Sequence, residues 1–121
     1  MTLFNNEAEE IDIELLNFTN YDIGLKVVVS EDNETIMDET YDINGRSSSQ
    51  RSIPNIKVEG FTEATNGDEF DVHVEIVGTN REETGVFRIN CIGEKDTRSV
   101  FFIEIRQRGE SKYIEFNQST C

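Results

Sequence analysis

The sequence is short of the residues that most often do chemistry. It holds one histidine, two cysteines, one proline and no tryptophan. A blue-copper site takes two His and a Cys, so one histidine excludes it. Nucleophile triads fail on the same shortage, because a Ser or Cys nucleophile usually needs a His base. No apolar window approaches the ~18 residues of a membrane helix, so direct membrane insertion is not expected. The opening "MTLFNNEAEEIDIE" lacks the basic and apolar regions of a secretory signal. Either that export route is not used, or the chain is a processed one with an added Met1. Lysine is confined to Lys26, Lys57, Lys95 and Lys112.

Acid is what the sequence has in abundance. Asp and Glu number 25 against 11 Lys and Arg, a formal charge of −14. A field of that sign repels phosphate backbones and anionic bilayers, so neither nucleic acid nor a membrane surface is an expected partner. Acidity can serve solubility alone, or it can adapt a protein to high salt. Residues 1–60 carry 13 acids and residues 61–121 carry 12; this even spread favours salt adaptation over an acidic tail.

Alternation with a period of two dominates, and helical periodicity is hard to find. "IDIEL" (11–15), "DIGLKVVV" (22–29) and "ETIMDETYDI" (34–43) read as strands, the last two joined at the polar cluster "SEDN" (30–33). "RSIPNIKVE" (51–59) follows; Pro54 cannot donate to a ladder, which predicts an edge strand. "FDVHVEIV" (70–77) and "ETGVFRIN" (83–90) predict a second hairpin, and "RSVFFIEIR" (98–106) with "KYIEFN" (112–117) a third. Seven or eight short strands without a helix predict an all-β, antiparallel two-sheet sandwich over residues 11–121. Residues 1–10 are expected to be a flexible or extended lead-in.

The candidate chemistry is sparse. His73 lies between Asp71 and Glu75 on a predicted strand face; a metal ligand or general base is one reading, a solvated or cross-strand-paired imidazole the favoured one. Glu75, Glu104 and Glu115 alternate with apolar neighbours as solvated positions should. "EDNE" (31–34) and "NGDE" (66–69) lack the ligand spacing of a calcium loop. No catalytic residue, metal site or cofactor is therefore expected, and the chain does not read as an enzyme. Three sequons make Asn17, Asn33 and Asn117 possible glycosylation sites.

Arg98, Arg106, Arg108 and Lys112 cluster in the last predicted hairpin. They either balance carboxylates such as Glu104, Glu110 and Glu115 across strands or form a docking face. If Phe101 and Ile103 face the core, Phe102 points outward among arginines, which suits an interface. Cys91 and Cys121 each follow a strand. If consecutive strands lie side by side, both fall near one end of one sheet. A bridge would then close a loop of about 31 residues and contribute roughly 3–4 kcal/mol. Two free thiols or an intermolecular bond are the alternatives; a bridge would imply an oxidising compartment.

The run "IELLNFTNYDIGLKVVVSEDNETIMDETYDI", the later "FDVHVEIV…ETGVFRINC" and the closing "FFIEIRQRGESKYIEFNQSTC" together resemble small secreted or lipid-anchored β-sandwich domains of haloarchaea. The resemblance spans about residues 11–121 and implies an immunoglobulin- or cupredoxin-like sandwich with a bridging cysteine pair. Phe87 stands where such domains usually have Trp, and no lipobox precedes the domain. The expected role is non-catalytic: a salt-adapted domain of an extracellular surface, envelope or filament protein, with protein partners and self-association. Alternatives are a structural protein of a haloarchaeal virion and, third, an ion- or small-ligand-binding protein.

Overall fold

The structure, a computed structural model, describes residues 8–47, 49, 51–90, 92–93 and 98–119. Every strand that alternation predicts is present. They are β1 (Glu9–Asn17), β2 (Ile23–Glu31), β3 (Glu34–Ile43), β4 (Asn55–Ala64), β5 (Glu69–Ile76), β6 (Glu82–Arg88), β7 (Val100–Arg108) and β8 (Ser111–Gln118). β1 starts at Glu9, inside the expected lead-in. Sheet A has the order β4-β1-β7-β8 and sheet B the order β3-β2-β5-β6. The fold is an all-β two-sheet sandwich. β4 lies at an edge, as expected, but it begins at Asn55, so Pro54 stands before the strand and its missing N–H does not set that position; the Pro54 carbonyl accepts from the Asn17 N–H at 3.0 Å.

Five of the six ladders are antiparallel; β1 and β7 pair in parallel, which alternation could not foretell. The core follows from the pleat. Ile11, Ile13 and Leu15 of β1 and Ile103 and Ile105 of β7 meet Leu25, Val27 and Val29 of β2 and Val72 and Val74 of β5, all fully buried. These belong to the central strands of the two sheets, where both ladder edges are paired and one face is covered.

One side of the sandwich is closed by aromatics. Phe101 sits between Phe87 and Phe116, with ring centroids 5.2 Å apart on each side. Phe116 of β8 crosses to β6, where a Cβ on Gly85 would lie 2.5 Å from its ring. Only glycine admits that approach. Beyond it the Gln118 amide donates to the Arg88 carbonyl at 2.8 Å, joining the two sheet edges.

The strands give the molecule two distinct ends. Among the described residues, the upper end holds residues 18–22, 44–47, 49, 51–54, 77–81 and 109–110; the lower end holds the β2–β3 turn and residues 65–68, 89–90, 92–93 and 98–99. Asp32 (φ 50°) and Asn33 (φ 67°) form the β2–β3 turn. Two successive positive φ values match a type I′ hairpin, and Asp and Asn tolerate them better than most side chains.

Candidate functional site: the outer face of sheet A

Strand register decides which side chains leave the core. In sheet A, Asp12, Glu14 and Leu16 of β1 lie opposite Val100, Phe102 and Glu104 of β7 on the outer face. β8 adds Asn117, Glu115 and Tyr113 opposite Phe102, Glu104 and Arg106. Phe102 therefore points outward, as the "VFF" pattern predicts. With Val100, Leu16 and Phe18 it forms an apolar centre, each of the four half-buried.

Charged networks bracket this centre. On one flank, Arg98 holds Asp12 with two bonds, Nε to Oδ2 at 2.8 Å and a terminal nitrogen to Oδ1 at 2.5 Å. Asp12 Oδ1 also accepts from the Gly60 N–H at 2.9 Å. That bond pins a bulge in which β4 gains extra residues between the Ile11–Thr62 and Ile13–Val58 pairs. Gly60 takes φ 60° there, a conformation that favours glycine. Burial alone would raise the Asp12 pKa. The Arg98 and Gly60 bonds and the Arg98 charge outweigh it and hold the carboxyl below its ordinary value, while the Arg98 pKa rises.

On the other flank, Arg106 bridges two carboxylates that face each other across β7 and β8. It bonds Glu104 Oε1 at 2.6 Å and Glu115 Oε2 at 2.9 Å, and its guanidinium lies 4.0 Å from the Phe18 ring centroid. Asn117 donates to the second oxygen of Glu104 at 2.8 Å. Glu104 is 9% exposed, so the expectation of a solvated position is corrected: it points outward but lies under Arg106 and Asn117. Arg98 and Arg106 thus do balance carboxylates, yet both stay partly exposed, at 51% and 37%.

The remaining expected interface residues divide. Arg108 stays on the outer face, over Tyr113 at 5.5 Å. Lys112 pairs in register with Gln107, so it leaves the opposite face and covers Tyr21 at 4.6 Å. Lys112 is removed from the sheet A face on that ground.

The sequons also divide. Asn17 is fully buried. Its amide donates to the Tyr21 and Asn44 carbonyls at 2.8 and 3.1 Å, and its Oδ1 accepts from the Thr19 N–H and hydroxyl at 2.9 and 2.7 Å. Asn17 and Thr19 are an Asx turn that knots the upper end. The expectation of a glycan at Asn17 is corrected, because the folded domain presents no amide there. Asn33 is exposed in its turn, and Asn117 is exposed while bonded to Glu104.

His73 bonds Thr84, its cross-strand partner, at 2.7 Å and approaches Glu82 at 3.6 Å. It is the cross-strand-paired imidazole favoured on sequence grounds. Among the described residues no three His, Cys, Asp or Glu side chains group as metal ligands.

Cys91 and Cys121 lie outside the described residues. The premise that their strands share a sheet is corrected: β6 belongs to sheet B and β8 to sheet A. The strand ends nevertheless meet, through the Gln118–Arg88 bond. The chain matches no protein-family model and has no significant match among curated proteins.

Proposed function

We propose that this domain is a non-catalytic interaction module of an extracytoplasmic surface or envelope assembly, docking a protein partner on the outer face of sheet A. The observation that carries the reading is the apolar centre of Val100, Phe102, Leu16 and Phe18 set between two arginine–carboxylate networks. Protein interfaces have this anatomy: apolar and aromatic at the centre, with arginine enriched and a polar rim. The extracytoplasmic setting rests on a Cys91–Cys121 bridge. Arg88 and Gln118, each three residues before its cysteine, are already bonded across the sheets.

A photo-crosslinking residue at position 102, compared with one at the exposed Thr40 on the outer face of sheet B, tests the docking face in the native source. Defined protein adducts from position 102 and none from position 40 are expected. Equal yields from both positions would defeat the reading. Intact mass should rise by two hydrogens on reduction; an unchanged mass would remove the bridge and the compartment with it.

A further inference from the structure

The three sequons occupy three different settings in the fold. Transfer of a sugar to asparagine needs the side-chain nitrogen within reach and the hydroxyl two residues on exposed beside it, both at the surface. At Asn17 neither group is reachable. The residue is fully buried, and Thr19 donates its hydroxyl proton to Asn17 Oδ1 at 2.7 Å while accepting from the Tyr21 N–H at 3.2 Å. At Asn117 both groups are engaged. Its amide donates to Glu104 Oε2 at 2.8 Å. The hydroxyl of Ser119 accepts from the Val100 N–H at 2.9 Å and donates to the Arg98 carbonyl at 3.1 Å, which ties the end of β8 to the start of β7. Asn117 also lies directly opposite Phe102 on the outer face of sheet A, so a sugar there would cover the apolar centre.

Asn33 differs on each count. It is the second residue of the two-residue turn between the paired Glu31 and Glu34, and its φ of 67° places it at the tip of the β2–β3 hairpin. Asn33, Glu34 and Thr35 are all exposed. Among the described residues no hydrogen bond engages the Asn33 amide or the Thr35 hydroxyl. The hairpin belongs to sheet B, whereas Phe102 lies on the outer face of sheet A. A bulky hydrated group on Asn33 therefore leaves the docking face clear.

We propose, resting on the extracytoplasmic reading of this domain, that Asn33 is its N-glycan acceptor and that Asn17 and Asn117 stay unmodified. The co-substrate is a glycosyl diphosphate presented by a transferase. Asn33 Nδ2 forms a bond to the anomeric carbon as the bond from that carbon to the diphosphate oxygen breaks. The diphosphate leaves with the bonding electron pair, and the amide gives up one proton to a base of the transferase. Nothing is oxidised or reduced.

Peptide mapping of reduced protein from the native source tests it without any variant. Trypsin cuts after Lys26, Arg46 and Lys112, so the sequons separate into peptides 1–26, 27–46 and 113–121. Mass spectrometry should find at least one added sugar residue on peptide 27–46 and none on the other two. Variants made in the same source then locate the acceptor. Asn33→Gly and Thr35→Val should each lose the added mass, and Asn117→Gln should keep it. Glycine suits the positive φ of the turn and valine an exposed strand position, so both variants hold the hairpin, which circular dichroism checks. An unmodified peptide 27–46 in the wild-type chain, or a sugar on peptide 1–26 or 113–121, would overturn the assignment. So would a sugar on peptide 27–46 that survives Asn33→Gly or Thr35→Val. The bridge is measured separately, by intact mass on reduction. A bridged chain without the glycan overturns this acceptor and leaves the compartment standing.

Discussion

Sheets A and B contain the same number of strands and bury the same kinds of residue, yet their outer faces differ. The face of sheet A holds buried carboxylates, Asp12 and Glu104, each clamped by an arginine, around an apolar centre. The face of sheet B presents Asp38, Thr40, Lys26, Asp71, His73 and Glu75, with cross-strand contacts such as His73–Thr84 and with Val86 half exposed. One sandwich therefore carries a face built to fixed geometry and a face that mainly meets solvent. Arginine forks hold a planar arrangement that scattered surface charges do not.

Substitutions that strike the two faces unequally would sharpen this contrast. The largest effect is expected for Asp12→Ala, which strips both the Arg98 fork and the acceptor for the bulged Gly60 N–H. A loss of about 2 kcal/mol in urea unfolding is expected, below the full cost of a buried pair because Arg98 is half exposed. A loss under about 0.5 kcal/mol would show that the bulge stands without its pin. The same carboxyl sets an acid limit. Its folded pKa is depressed, so its contribution is complete above the ordinary value of 3.8 and disappears as pH falls through the lower folded value. Asp12→Asn should flatten the stability–pH curve in that acid range; a curve parallel to the wild type would assign the acid loss to other groups.

Glu104→Ala comes next, at about 1 kcal/mol, because Arg106 keeps Glu115 and the Phe18 ring while Asn117 loses its acceptor. On sheet B, His73→Ala should move the midpoint by no more than about 0.5 kcal/mol, since its partners remain solvated. If His73→Ala cost as much as Asp12→Ala, the contrast between the faces would collapse.

Legibility in the sequence followed the range of each interaction. Alternation is local, so all eight strands, the three hairpins and the outward turn of Phe102 could be read from "IDIEL", "FDVHVEIV" and "VFF". The edge position of β4 agrees with the expectation drawn from Pro54, but that residue precedes Asn55, the first of the strand, so its missing N–H is not the cause. The parallel β1–β7 ladder joins Asp12 to Val100 with the whole of sheet B between them in the chain, and no local signal reports it. Glu104 looked solvated because its strand position is outward; its cover comes from Arg106 and Asn117, the latter supplied by another strand. Asn17 looked like a sequon, but its second reader is the backbone of residues 43–44.

The parallel ladder also sets an order in time. Every partner of β2, β3, β5 and β6 lies within residues 23–88, so sheet B can be complete as soon as that stretch is available. Of the strands in sheet A, only β1 and β4 can pair by then. β1 still lacks one neighbour, so the inner face of sheet B is covered late. Long-range pairing of this kind slows folding and lengthens the exposure of apolar surface. In pulse-labelled hydrogen exchange, amides of β2 and β5 should gain protection before those of β7 and β8; the reverse order would make β1–β7 the nucleus instead. The strand that starts the chain is, on this account, among the last to be locked.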